Sequence, residues 1–591
     1  MFNRRDALKM LGLPAVAQFG AVNSARAAAG TIYFDSAAPS GGNGTARAPY
    51  SDPSGLVIPV NCSAVYFRRG SDFRLKRPIG LAPGRTTPLV IGAWGNQRDP
   101  RPILRAGRVA VATDFIQVRI VSTSVGAYPS VTPDNASCLY QVVDPNGGGS
   151  PSGDYFRYWG AFGDGVFGIQ QDTKGEGPDG TVHTPRAERQ WGYCSGGYVL
   201  YSGNGNPAAA PNVPPYVSTY ADSDLVSSQG AILDLASTPQ PITISNLDFR
   251  DARIAVRYDL RFAPNVPPAA VPGFAVQNCR GSGLYYGIFL VGGSATPLWT
   301  DGNDFAGFVN LEVSGNFWQN LGNAWVLGDS TYIGFRNSSI HDNVWNKCCQ
   351  AYSTGGVYAN HWYGLAADQM HIYDNTGSQT GYGHFWPTDG YDFYTEVASA
   401  NILWENNFSW GSQGAFIANS TLGGSGIHFR HCIAVNVGQQ DMDAGGFNIA
   451  DSAGLGSTMV EVDNCISQYY RYLLKSTEKS SAARVSVHDS YYLGVPAGGW
   501  NVGVTTGNPT PTSCYTVDGN GIVPPFKHAW WDYVTGTDLP TTGTSTDASL
   551  YACITDQING LLGTSNGQMP APAVNYAKQT TNIWTALSGK C

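Results

Sequence analysis

Glu396, Asn419, Asp451 and Lys475 follow four aromatic residues, Phe393, Phe416, Phe447 and Tyr472, by three or four places, and Asp329 follows Trp325 in the same way. If these aromatics occupy equivalent positions on stacked strands, three oxygen-bearing groups and an ammonium share one face. They would span three strand spacings of about 4.8 Å, or roughly 14 Å. An apolar core has no use for such a column. Oxygen donors alone suit Ca²⁺, which takes about six to eight oxygens, water included. A base beside such a cation suits removal of the proton next to a uronate carboxylate, where the cation steadies the developing enolate. The plainer alternative is that polar residues at strand ends face solvent beside a turn.

A second cluster runs from His384 to Glu396 and holds Trp386, Asp389, Asp392 and Tyr394. Asp389, Asp392 and Glu396 offer three carboxylates within eight residues, and an inverting glycosidase needs two at about 6.5 to 9.5 Å. Glu396 and Asp451, two strand spacings or about 9.6 Å apart, also approach that separation, so hydrolysis stays open beside elimination. Trp386, His384 and Tyr394 are candidate sugar contacts, since indole and phenol faces stack on sugar rings. Seven tryptophans, at 318, 325, 345, 362, 386, 404 and 410, crowd this stretch. His361, His371 and His384 have no metal-ligand spacing and are expected to be structural or sugar-contacting.

The elements that would position these residues repeat from about residue 240. A short alternating strand recurs as Ile242–Asn246, Phe274–Asn278, Met370–Asn375, Ile402–Asn406, Ile427–His431 and Val460–Asn464, with a second strand about ten residues after each. Strand, turn and strand without helical period predict a stacked parallel solenoid. A β-propeller would need blades of about 40 to 50 residues and antiparallel hairpins. The recurring Asn is expected to stabilise turns, and Cys279, Cys432 and Cys465, each just past a first strand, are expected to form a buried thiol ladder. Residues 125–230, rich in Gly, Pro, Tyr and Ser, are expected to be long inserted loops.

Composition agrees with an all-β chain: among 591 residues, Gly supplies 73 and Pro 36, while only 13% are charged and 12% aromatic. The net charge is -8, and removing the +3 of the first 28 residues leaves -11, which excludes nucleic acid as an expected partner. The same charge opposes a polyanionic substrate at long range unless calcium and local Lys and Arg invert the field. Eleven cysteines include no CxxC pair, so no zinc site is expected, and one or two disulfides could involve Cys514, Cys553 or Cys591.

Asn3-Arg4-Arg5-Asp6-Ala7-Leu8-Lys9, the apolar run Met10–Val22 and Ala25-Arg26-Ala27-Ala28-Ala29 resemble a twin-arginine export signal. The run is too short for a membrane span, and a periplasmic or secreted location follows. Thr31–Asp35, Ala64–Arg74 and Pro88–Gly95, in that order, resemble the opening turns of secreted right-handed parallel β-helix carbohydrate enzymes, the pectate-lyase-like superfamily. That resemblance implies a polysaccharide lyase in which Glu396, Asn419 and Asp451 bind calcium, Lys475 is the base and Arg484 binds substrate carboxylate. The Asn-Thr-Asp, Asp-Asp and Gly-His-Gly pattern of polygalacturonases is missing. An inverting hydrolase, a C5 epimerase and a non-catalytic glycan-binding β-helix are the alternatives. The expected layout is a signal at 1–29, a right-handed β-helix over 30–500 and a C-terminal cap at 501–591.

Overall fold

In the computed structural model the described residues are 30–109 and, further on, the strands and adjoining turns between residues 112 and 517. They build an all-β parallel solenoid. Its spine is a twelve-stranded parallel sheet beginning with Thr31–Phe34, Ala64–Arg68 and Leu89–Trp94 and running through Ile242–Ser245, Phe274–Gln277, Ile402–Glu405, Ile427–Arg430 and Val460–Asp463 to Val485–His488. Alternation makes these strands. Ile402–Glu405, Ile427–Arg430 and Val460–Asp463 each bury their first and third residues and half-expose the second and fourth, as a sheet with one covered face requires. Parallel register then stacks like on like: Trp404 lies between Ile372 and Phe429, and Phe429 beside Val462.

A twenty-stranded sheet forms the rest of each coil. One long strand of it follows each of the spine strands Ile242–Ser245, Phe274–Gln277 and Glu312–Ser314, and from Ser338–His341 to Val460–Asp463 two shorter ones follow, as in Ser338–His341, Val344–Asn346 and Gln350–Ser353. The sequence shows only the first and last of these. The middle strand is three residues long, too short for alternation to register, and it lies directly after the turn residue.

That turn is a left-handed corner. Asn246, Asn278, Asp342 and His431 have φ of 59°, 51°, 54° and 53°, and Gly315 takes the same place with φ 63°. Asn and Asp tolerate this conformation best among residues with a Cβ. The next position points inward on the coils described there, giving a buried column of Leu247, Cys279, Asn316, Asn343, Asn407, Cys432, Cys465 and Ser490. Buried polar members are bonded: Asn316 donates its side-chain amide to Val276 O at 2.9 Å, and Asn343 donates to Val313 O at 2.9 Å. Cys432 and Cys465 occupy adjacent coils, and Cys279 stands earlier in the same column, so the thiol ladder is interrupted by asparagines. Trp318 and Trp404 are core. Trp318 takes the space that Gly281 leaves on the neighbouring coil, where a Cβ would lie 2.3 Å from the indole.

The first spine strand has its outer edge covered. Tyr33 N–H donates to Gly44 O at 2.9 Å, Tyr50 N–H to Tyr33 O at 3.0 Å and Asp35 N–H to Tyr50 O at 2.9 Å. Residues 107–218, expected as loops from 125 onward, contain a four-stranded antiparallel sheet of Phe115–Gln117, Leu139–Val142, Trp191–Cys194 and Gly197–Tyr201. Its strands are short and unevenly spaced, with only Trp191–Cys194 and Gly197–Tyr201 adjacent in sequence, so no period announces them. Parallel stacking also continues past residue 500, where Tyr515–Val517 pairs with Tyr491–Leu493. No helix among the described residues is long and apolar enough to cross a membrane.

Candidate functional site

Strands Tyr391–Thr395, Gly414–Ala418, Gly445–Ile449 and Tyr472–Ser476 pair in succession, one per coil. Phe393, Phe416, Phe447 and Leu474 are in register, with Phe416 and Phe447 fully buried and stacked at 5.0 Å and 9°. The residue opposite Phe447 is therefore Leu474, whereas the sequence alignment above uses Tyr472; Tyr472 pairs with Gly445. This two-residue correction moves Lys475. It stands in register with Asn448, Ile417 and Tyr394, not with the positions after the strands that hold Glu396, Asn419 and Asp451. The physical reason is that the last strand carries Leu rather than an aromatic opposite Phe447, so aligning on aromatics slips it by one pleat repeat.

Glu396 and Asn419 directly follow Thr395 and Ala418, which pair with each other, and Asp451 follows their partner Ile449 by two places. Glu396, Asn419 and Asp451 themselves, with Arg484, Asp389, His384 and Trp386, lie outside the described residues. Asp392 and Tyr394 flank Phe393 within their strand.

Traced the other way, the Lys475 column runs through Ser353, Val326 and Phe289 to Arg257 and Asp234. At that end one guanidinium bridges two carboxylates. Arg257 donates to Asp234 at 2.8 Å and to Asp259 at 2.5 Å, with Arg257 8% and Asp259 1% exposed. Burial pushes the Asp234 carboxyl above its ordinary range, against the pull of Arg257. Phe289, next in the column, packs with Tyr286, Ala231 and Ile254. This end holds the sheet together.

The outward face of the spine sheet carries a further cluster, absent from the sequence reading. Arg430 Nε lies 3.6 Å from Asp463 and its Nη1 3.9 Å from Glu405, one coil to either side. His428 Nε2 lies 3.1 Å from Glu461 and 3.9 Å from Asp463. His431, in the left-handed corner, is held below the ordinary histidine range by burial, although Glu405 and Asp463 oppose this. The signal was present in the second and fourth positions of Ile402–Glu405, Ile427–Arg430 and Val460–Asp463, which only the register joins. No group of three or more His, Cys, Asp or Glu among the described residues is placed to hold a metal ion.

No family model matches the sequence, and no curated protein does. Among solved structures, one described as a glycoside hydrolase is similar at 10% identity and TM-score 0.38 over 88% of this chain and 100% of that one. A GH136 lacto-N-biosidase from Eubacterium ramulus is similar at 10% identity and TM-score 0.35, over 82% and 68%. XylC in complex with xylose gives 10% and 0.33, over 81% and 86%.

Proposed function

We propose that the protein is a glycan-cleaving enzyme, exported by the twin-arginine route to the periplasm or beyond, that acts on a uronate-containing polysaccharide by β-elimination. What supports this reading is the register that puts Tyr394, Ile417, Asn448 and Lys475 at one position of four consecutive coils, the first three on strands that continue toward Glu396, Asn419 and Asp451. In this reading a neutral Lys475 amine takes the proton from the carbon next to the uronate carboxylate. The electron pair forms the new carbon–carbon double bond, and the glycosidic oxygen leaves from the neighbouring carbon. Arg484 holds the carboxylate. The all-oxygen donor set of Glu396, Asn419 and Asp451 fits calcium, which would supply positive charge beside that carboxylate.

Hydrolysis is the second reading, favoured by one observation. The strands leading to Glu396 and Asp451 are two coils apart, about 9.6 Å, close to the spacing an inverting pair needs. Incubation with neutral and acidic polysaccharides separates the two. Ultraviolet absorbance of unsaturated ends appearing with the reducing ends supports elimination, and reducing ends without it support hydrolysis. Binding without either product would make the protein a non-catalytic glycan scaffold.

A further inference from the structure

Charge is unevenly shared along the chain. Residues 30–109, which supply the first three spine strands, hold eleven Lys and Arg against four Asp, a net of +7 in a chain of net -8. Three of the four carboxylates are engaged within the segment. Asp35 pairs with Arg68 at 2.5 Å, Asp72 with Arg105 at 2.5 Å, and Asp52 accepts the Ser54 N–H at 2.8 Å.

The exposed cations stand in two neighbouring groups. Arg74 and Lys76 are exposed on either side of fully buried Leu75, so both point away from the core, and exposed Arg77 follows. At the corner before that strand Arg68 is 53% exposed, and Arg69 donates to the backbone carbonyl of Asp99 at 3.2 Å, which brings it beside exposed Arg98. Gly70 N–H ties the same corner to Pro100 O at 2.9 Å. Arg69 and Arg74 are five residues apart, so their Cα atoms are within about 18 Å of each other.

The coils of the candidate site have the opposite sign. Residues 391–476 hold eight Asp and Glu against three Lys and Arg, a net of -5. Leu89–Trp94 is third in the spine sheet and Met370–Tyr373, which leads into Tyr391–Thr395, is eighth. Five strand spacings, about 24 Å, lie between them. That is about three Debye lengths of roughly 8 Å at physiological salt, so the two fields act separately. A polymer of repeated negative charge is attracted by the first and gains from engaging several cations at once. A lipid surface would also want apolar side chains to bury, and Val57 is the one large apolar residue exposed among the described residues.

We propose that the first three coils are a docking surface for an acidic polysaccharide, held by Arg68, Arg69, Arg74, Lys76, Arg77 and Arg98, from which the polymer runs along the solenoid to the candidate site. The polyanion rests on charge and exposure; that it is also the substrate rests on the function proposed above.

The test compares the full-length parent with Arg74→Gln/Lys76→Gln/Arg98→Gln, whose melting temperature should match the parent because the buried ion pairs stay intact. Binding of fluorescein-labelled polygalacturonate is followed by polarisation against sodium chloride, with dextran, anionic phospholipid vesicles and duplex DNA as competitors. Affinity should fall at least tenfold in the triple variant, with a flatter salt dependence, and none of the three competitors should displace the label as unlabelled polygalacturonate does. Arg74→Lys/Arg98→Lys, which keeps the charge, should bind as the parent does. Unchanged affinity in the triple variant, or an equal fall in the lysine variant, would overturn the surface. Displacement by vesicles or DNA as strong as by polygalacturonate would overturn the glycan assignment and leave an unspecific cationic patch. Where the polymer is cleaved, the triple variant should raise its KM at least tenfold and leave kcat unchanged. The KM of a trisaccharide, too short to span the two regions, should not move, and an equal rise there would overturn docking at a distance. Docking with no cleavage of any polysaccharide would tell against the enzymatic reading alone.

Discussion

Asn343 Oδ1 accepts two hydrogen bonds from Asn316 one coil away, from its backbone N–H at 3.0 Å and its side-chain amide at 2.9 Å. Both residues are buried, so these bonds lock the corners of adjacent coils in a water-free place. Asn343→Leu keeps the branched shape at a larger volume, and Leu247 shows the column accepts leucine, yet it strands two Asn316 donors. A loss of about 1 to 3 kcal/mol is expected, in line with an orphaned buried polar group. Denaturant titration reads it; a change within about 0.5 kcal/mol, the size of a surface substitution, would count against the ladder.

The buried thiols are chemically quiet. Burial pushes Cys279 up to about 12 and raises Cys465 well above the ordinary thiol range, and only the thiolate reacts. Iodoacetamide at pH 8 should leave Cys279, Cys432 and Cys465 unmodified in the native protein and label them after denaturation, as peptide mass mapping would show. Native labelling at any of the three would contradict the described interior.

Asp234 has a raised folded pKa, from burial first. Its contribution is therefore fully present below the unfolded value, 3.8, and is lost as pH rises through the folded value. Asp35 runs the other way: burial pushes it up, but hydrogen bonds from Arg68 and the Ala37 N–H, with the Arg68 charge, hold it below 3.8. Its contribution is present above 3.8 and is lost as pH falls through the lower, folded value. The melting-temperature difference between Asp234→Asn and the parent should therefore rise as pH climbs above 3.8, while that for Asp35→Asn should rise as pH falls below it. Flat differences would mean neither carboxyl is shifted.

Lys475→Arg keeps the charge but not a usable base. If Lys475 takes the proton, turnover should drop by roughly 10² to 10⁴ with the melting temperature and substrate affinity retained. Near-normal turnover would move the chemistry to Asp389, Asp392, Glu396 and Asp451.

Calcium has its own readout. Chelation should lower the melting temperature or the activity, and added calcium should restore it. Indifference to chelation, with cleavage intact, would remove Glu396, Asn419 and Asp451 as ligands.

The solenoid was legible because Ile402–Glu405, Ile427–Arg430 and Val460–Asp463 repeat one alternation, and because the left-handed corner leaves Asn246 and Asn278 visible as punctuation. Sequence spacing located the Lys475 strand but not its register, since it is Leu474, not an aromatic, that stands in register with Phe447 and Phe416. The Glu405–Arg430–Asp463 group went unread for a related reason. Its members are 25 and 33 residues apart in sequence and become neighbours only when strands pair.

The cover laid by Gly44 and Tyr50 over the first spine strand has a consequence for the particle. A parallel stack offers its last rung to any other stack, and an uncovered rung is a template for fibre growth. With Tyr33 already engaged in both directions on that edge, the middle of the first spine strand has no bonding groups to present to another stack, so among the described residues of the first coil the edge left to pair is that of Val57–Ile58, which bonds only Ile79–Leu81.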